Sequence, residues 1–246
     1  MTTRDETQPC CPGSIRTDYN YLGKETMLNE TQLKLYVATP SSPSKHAILV
    51  SFDIFGFHPG GTREFCDKLA KAGYLVVMPD YYRGNAWSPS NFPPADQDEF
   101  MNWVKSFSPA MLAADVESTR QYILSQEPKI TSIGLIGFCW GGKVAITASA
   151  TGNFNASVLC HGSFLEDSDA DGVQCPTLML DAGADPDRSA ILATLQAKPF
   201  GAACAAFKYD DMEHGWTIRG DRSNARVNEC MDEAYSKTEA FFKEHL

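Results

Sequence analysis

No apolar run in this 246-residue chain approaches the roughly 18 residues that a membrane span requires. Basic residues are outnumbered: 21 Lys and Arg against 31 Asp and Glu leave a formal net charge of -10. Nucleic acid and anionic membrane surfaces both call for a basic face, so neither is expected as a partner. The eight cysteines show no C-x-x-C spacing, the only close pair being Cys10-Cys11. Zinc and thioredoxin-like sites therefore find no support. The opening residues Met1-Thr2-Thr3-Arg4-Asp5-Glu6 lack the apolar core of a secretory signal. The expectation is a cytoplasmic protein with reduced thiols. No internal repeat and no break in composition marks a second domain.

What is present fits one α/β domain with a substantial core. Hydrophobic content of 43% and charged content of 21% are ordinary for a globular protein. Residues 1–25 are polar and read as an irregular arm, with Cys10 and Cys11 in a surface or packing role. From residue 26 onward the chain alternates apolar strands with helical patterns. Leu33–Ala38 alternates at its start like a half-exposed edge strand. Ala47–Phe52, Tyr74–Met78, Ser132–Ile136, Ala156–Cys160 and Thr177–Asp181 read as strands, with a last one near Cys204–Tyr209. Helices are expected at Thr62–Ala72, at 97–107, 110–126 and 225–243, and directly after residue 139. Apolar strands alternating with helices argue a doubly wound, mostly parallel sheet. Residues 85–96, with Trp87 and Phe92 among Pro, Ser and Asn, read equally as a lid or as a packed surface loop.

The chain is organised around Gly137-Phe138-Cys139-Trp140-Gly141-Gly142. A strand precedes this stretch and a helix follows it, so G-x-C-x-G matches a nucleophile elbow with cysteine in place of serine. The flanking glycines are wanted for close backbone approach rather than for flexibility. A thiol at a helix N-terminus is favoured as thiolate. The competing reading is a buried core cysteine, because free cysteine is among the most buried residue types.

A nucleophile needs a base and an acid. In the α/β-hydrolase arrangement they follow it in the order acid, then base. His161 directly follows a strand, where a wall of the substrate pocket is expected. His214 lies in the loop after the last strand, which is where the base is expected. For the acid, Asp181 is still within a strand, and Asp187 follows Pro186 at a helix start that it suits as a cap. Asp185, at the tip of Gly183-Ala184-Asp185, is best placed to reach the imidazole.

Asp53-Ile54-Phe55-Gly56, Pro79-Asp80-Tyr81-Tyr82-Arg83-Gly84, Gly137–Gly142, Gly183-Ala184-Asp185 and Glu213-His214-Gly215-Trp216 together resemble the dienelactone hydrolase family. The blocks run in order from about residue 30 to the end, and the Cys-Cys-Pro opening resembles the eukaryotic branch. The resemblance implies an α/β-hydrolase fold and a Cys139-Asp185-His214 triad. It also implies oxyanion-hole N–H groups on Ile54 and Trp140, and hydrolysis of a small ester or lactone without metal or cofactor. Members that act on dienelactone carry a glutamate where Asp53 stands, and arginines for the substrate carboxylate. Arg83 and Arg219 are this chain's candidates for those arginines. Tyr82, His161 and Trp216 complete the expected substrate contacts. A monomer or small homo-oligomer is expected. The alternatives are a non-hydrolytic binding or thiol-redox protein on the same fold, and a hydrolase of larger esters or glycosides.

Overall fold

The structure, a computed structural model, describes residues 19–58, 60–126 and 128–246. Its first half runs β1 (Lys24–Leu28), β2 (Leu33–Ala38), β3 (His46–Ser51), α1 (Gly61–Lys71), β4 (Leu75–Pro79), α2 (Gln97–Ser106) and α3 (Pro109–Leu124). The second half runs β5 (Ser132–Phe138), α4 (Trp140–Ser149), β6 (Ala156–Cys160), β7 (Thr177–Ala182), α5 (Ser189–Gln196), β8 (Ala205–Tyr209), α6 (Trp216–Arg219) and α7 (Ala225–His245). The strands form one eight-stranded sheet in the order β1-β2-β4-β3-β5-β6-β7-β8. β2 is antiparallel to β1 and β4, whereas every pairing from β4 across to β8 is parallel.

Parallel strands need crossover helices, and these cover both faces of the sheet, which is why the central runs are apolar throughout. Two glycines of β5 mark the two faces. Residues three apart on a strand point to opposite sides. A Cβ on Gly134 would meet the Phe242 ring of α7 at 2.6 Å, and one on Gly137 would meet the Gly141 carbonyl oxygen at 2.1 Å. Hence α7 packs on one face and α4 on the other. α1 joins α7 through the Phe65–Tyr235 ring contact, and α3 packs beside α4.

Two expectations need correction. β2 is not an edge strand, because β1 pairs along its outer side. β1 is almost wholly exposed and its Lys-Glu-Thr start shows no apolar alternation, so periodicity does not reveal it. The expected arm–domain boundary at residue 25 falls inside this strand. Cys10 and Cys11 lie outside the described residues. Of the two readings for residues 85–96, packing is what is observed. Trp87 is buried against Phe100 and Trp103, its backbone N–H donates to the Ile54 carbonyl at 3.0 Å, and Phe92 meets Phe55 edge-on.

Candidate active site

β5 turns into α4 at Cys139, whose φ of 54° and ψ of -119° place a non-glycine residue in strained backbone. The neighbours enforce this conformation. The Cys139 N–H donates to the Cys160 carbonyl at 3.0 Å, and its own carbonyl accepts from Gly142 N and Ser163 N, both at 2.9 Å. The glycines are needed for close approach, as the sequence suggests. A Cβ on Gly141 would sit 2.2 Å from the Ser51 carbonyl oxygen, so the amino end of α4 lies against the end of β3. Cys139 itself is only 2% exposed.

His214 comes from the loop after β8 and Asp185 from the loop after β7. The two loops are joined by Gly183 N donating to the Met212 carbonyl at 3.1 Å. His214 Nδ1 lies 2.6 Å from Asp185 Oδ1, and the other oxygen of Asp185 accepts from Ala182 N at 2.7 Å. That geometry turns Nε2 toward the elbow, where it lies 3.2 Å from Ser163 Oγ, itself 3.5 Å from Cys139 Sγ. Burial alone would depress the imidazole, but the charge at Cys139 and the Asp185 hydrogen bond push its pKa up to about 10. Asp185 is pulled upward by burial, yet the bonds from His214 and Ala182 hold it below the ordinary carboxylate value. The other two aspartates play different parts. Asp181 is pushed up to about 7 by burial, with Asp185 adding to the effect. Asp187 accepts from Ser189 N at 3.0 Å at the start of α5.

The remaining candidates divide. Ile54 follows the end of β3, which pairs with β5 in register from His46↔Ser132 to Ser51↔Gly137. Its backbone and that of Trp140 therefore flank the elbow. Trp216 is buried on Tyr209, with ring centroids 4.5 Å apart. With His214, Arg219 and Val227 it lines a cavity of about 340 Å³. Tyr82 is fully buried among Phe52, Trp103, Phe107 and Trp140, so it braces the aromatic floor.

His161 is not a pocket wall. It is 0% exposed, with Nε2 bonded to the Thr217 hydroxyl at 2.6 Å and its ring edge-on to His214 at 5.0 Å. Burial, reinforced by His214, holds its pKa well below the usual imidazole range. The two arginines are occupied. Arg83 grips Asp115 with two bonds of 2.8 and 2.9 Å, rather than Asp80. Arg219 grips Asp53 through Nε and, at 2.9 Å, through Nη2, and lies 4.5 Å over the Phe55 ring.

One site residue is absent from the sequence reading. Ser163 Oγ is 3.2 Å from His214 Nε2 and 3.5 Å from Cys139 Sγ. Its position just past the end of β6 is the available signal, because loops at strand carboxyl ends line the crevice. Among the described residues, no group of three or more His, Cys, Asp or Glu is arranged to hold a metal ion. No helix among them is long and apolar enough to cross a membrane.

A doubly wound sheet with a strained elbow after its central strand and a His–Asp pair from later loops defines an α/β-hydrolase. Residues 33–246 match the dienelactone hydrolase family, and the chain belongs to it. An uncharacterised AIM2 family protein of Schizosaccharomyces pombe is 34% identical over 252 aligned residues, covering 95% of this chain and 98% of that protein. A carboxymethylenebutenolidase homolog of Rattus norvegicus is 31% identical, covering 74% of this chain and 72% of the homolog. Among solved structures, a putative dienelactone hydrolase of Klebsiella pneumoniae superposes with a TM-score of 0.74 at 20% identity, over 92% of this chain and 100% of the other. Membership of the family makes the protein a hydrolase.

Proposed function

We propose that the protein hydrolyses small activated esters or lactones through a Cys139-His214-Asp185 triad and a thioester intermediate. One observation carries this reading: Asp185, His214, Ser163 and Cys139 form a continuous hydrogen-bonded chain ending at a strained elbow. Asp185 fixes the tautomer by accepting from Nδ1, so Nε2 serves the sulfur. An imidazolium beside the sulfur and the amino end of α4 both favour negative charge on Sγ. The thiolate attacks the acyl carbon, and the oxyanion is held by the N–H groups of Trp140 and Ile54. Collapse of this intermediate expels the alkoxide, which takes the proton from Nε2 and leaves a thioester. His214, now neutral, deprotonates a water that hydrolyses the thioester and returns the thiol.

Thiolate is a good leaving group as well as a good nucleophile, which favours activated acyl groups over amides. The family name and the carboxymethylenebutenolidase homolog support lactone and ester substrates. Both arginines considered for a substrate carboxylate are paired with carboxylates of the chain itself. That supports an uncharged acyl group. A purely redox thiol gives no task to Asp185 and His214.

The test is hydrolysis of p-nitrophenyl acetate by wild type, Cys139→Ala and His214→Ala, with circular dichroism to verify folding. Each variant is expected to lose activity by about 10⁴-fold or more, and an acetyl group should be trapped on the Cys139 peptide. Full activity in folded Cys139→Ala would refute the assignment.

A further inference from the structure

Between the sulfur of Cys139 and the imidazole of His214 stands a hydroxyl that the triad does not use. Ser163 Oγ is 3.5 Å from Sγ and 3.2 Å from Nε2, within reach of both. The backbone holds it there. Ser163 N–H donates to the Cys139 carbonyl at 2.9 Å. Buried Arg188 clamps the residues on either side, donating to the Gly162 carbonyl at 3.2 Å and to the Leu165 carbonyl at 3.0 Å. A Cβ on Gly142 would lie 2.8 Å from Gly162 Cα, so the segment before Ser163 rests directly on the first turn of α4.

We propose that Ser163 is a further catalytic residue: its hydroxyl bridges Nε2 and Sγ, carries the thiol proton to the imidazole and then donates to the thiolate. The step balances. The S–H bond breaks as Ser163 Oγ takes that proton, while the hydroxyl's own proton leaves oxygen to form the Nε2–H bond. A thiolate, an imidazolium and an unchanged serine result. Once the charged pair has formed, the same bridge holds it. Cys139 is almost inaccessible to water, and a buried anion needs donors from the protein in place of solvent. Ser163 Oγ–H is such a donor, and Nε2–H donates to its oxygen from behind.

This inference rests on the proposed Cys139 chemistry, and its test is separable from it. The rate of Cys139 alkylation by iodoacetamide is followed against pH by peptide mass spectrometry in the full chain. Wild type, S163A and S163T are compared, and ester hydrolysis is measured on the same preparations. A hydrogen bond to a charged group corresponds to about ten- to hundredfold in an ionisation equilibrium. S163A is therefore expected to move the alkylation midpoint up by about one pH unit and to lower kcat/KM about tenfold near neutral pH. S163T keeps a hydroxyl and should recover most of both. The other ionisable groups around the pair are the same in every variant: Asp185 behind the His214 ring, His161 against it, and the Asp53–Arg219 pair.

An unmoved midpoint in folded S163A overturns the proposal, whether or not kcat/KM falls, because a structural role alone leaves the thiol ionisation in place. If S163A loses the wild-type circular dichroism, S163G takes its place with the same expected shift. Retained hydrolysis in Cys139→Ala sinks the functional reading alone, since the alkylation shift is read on the thiol and not on the ester.

Discussion

Two arginines, Arg83 on the turn after β4 and Arg219 at the end of the short helix α6, stand at the carboxyl edge of one sheet, and each holds an aspartate in a two-pronged ion pair. Arg83 with Asp115 sits at the rim, the arginine side chain 41% exposed. Arg219 with Asp53 is shut in, at 13% and 0%, with the Phe55 ring across the guanidinium. In the first pair the guanidinium is solvated and screened while Asp115 keeps 10% of its side chain exposed, so its loss costs less than that of the second. The second ties the loop carrying Ile54 to the short helix that follows His214, and removing one partner strands a charge away from water. Identical chemistry thus does different work, and burial makes the difference.

The largest expected effect tests the buried pair. Asp53→Ala leaves Arg219 without its carboxylate and should lower unfolding stability by about 3–5 kcal/mol in urea titrations. It should also reduce kcat/KM more than tenfold, as the Ile54 loop loses its tether. A loss no larger than that from Arg83→Ala would erase the contrast between the two pairs.

A third carboxylate sharpens the role of burial. Asp181 is buried, and its pKa is pushed up to about 7 because nothing offsets its desolvation fully. Between its unfolded value near 4 and about 7, the native state keeps a proton that the unfolded chain releases. Stability from this group therefore falls as pH rises through that window. Asp181→Asn should stabilise the protein at pH 8 by on the order of 2 kcal/mol, and by almost nothing at pH 4. Thermal unfolding at the two pH values checks this. Equal effects at both would show that ionisation of Asp181 is not involved.

The smallest expected effect belongs to the rim. Arg83→Ala should cost about 1 kcal/mol or less, and should change kcat/KM by no more than a few-fold for anionic and neutral esters alike. A selective loss on the anionic ester would mean that substrate competes with Asp115 for this guanidinium.

Local pattern determined a large part of this protein. Apolar β-branched runs between turn residues mark β3 to β7, because strands covered by helices on both faces need no polar alternation. Strand, G-x-C-x-G and helix in sequence specify the elbow, since only glycines permit the approach of Gly137 and Gly141 to neighbouring backbone. The chain order of Cys139, Asp185 and His214 was likewise legible, and the fold brings the three together. Tertiary structure alone decided what each remaining group faces. Arg83 meets an aspartate 32 positions onward and Arg219 one 166 positions back. His161 turns under His214 instead of into a pocket, β1 is a strand only because β2 offers it a ladder, and Ser163 becomes a neighbour of the sulfur through a β6 loop packed on α4. These are matters of distance in space. A chain with 31 acidic and 21 basic side chains offers many possible pairs, and only packing selects among them and sets how much water each keeps.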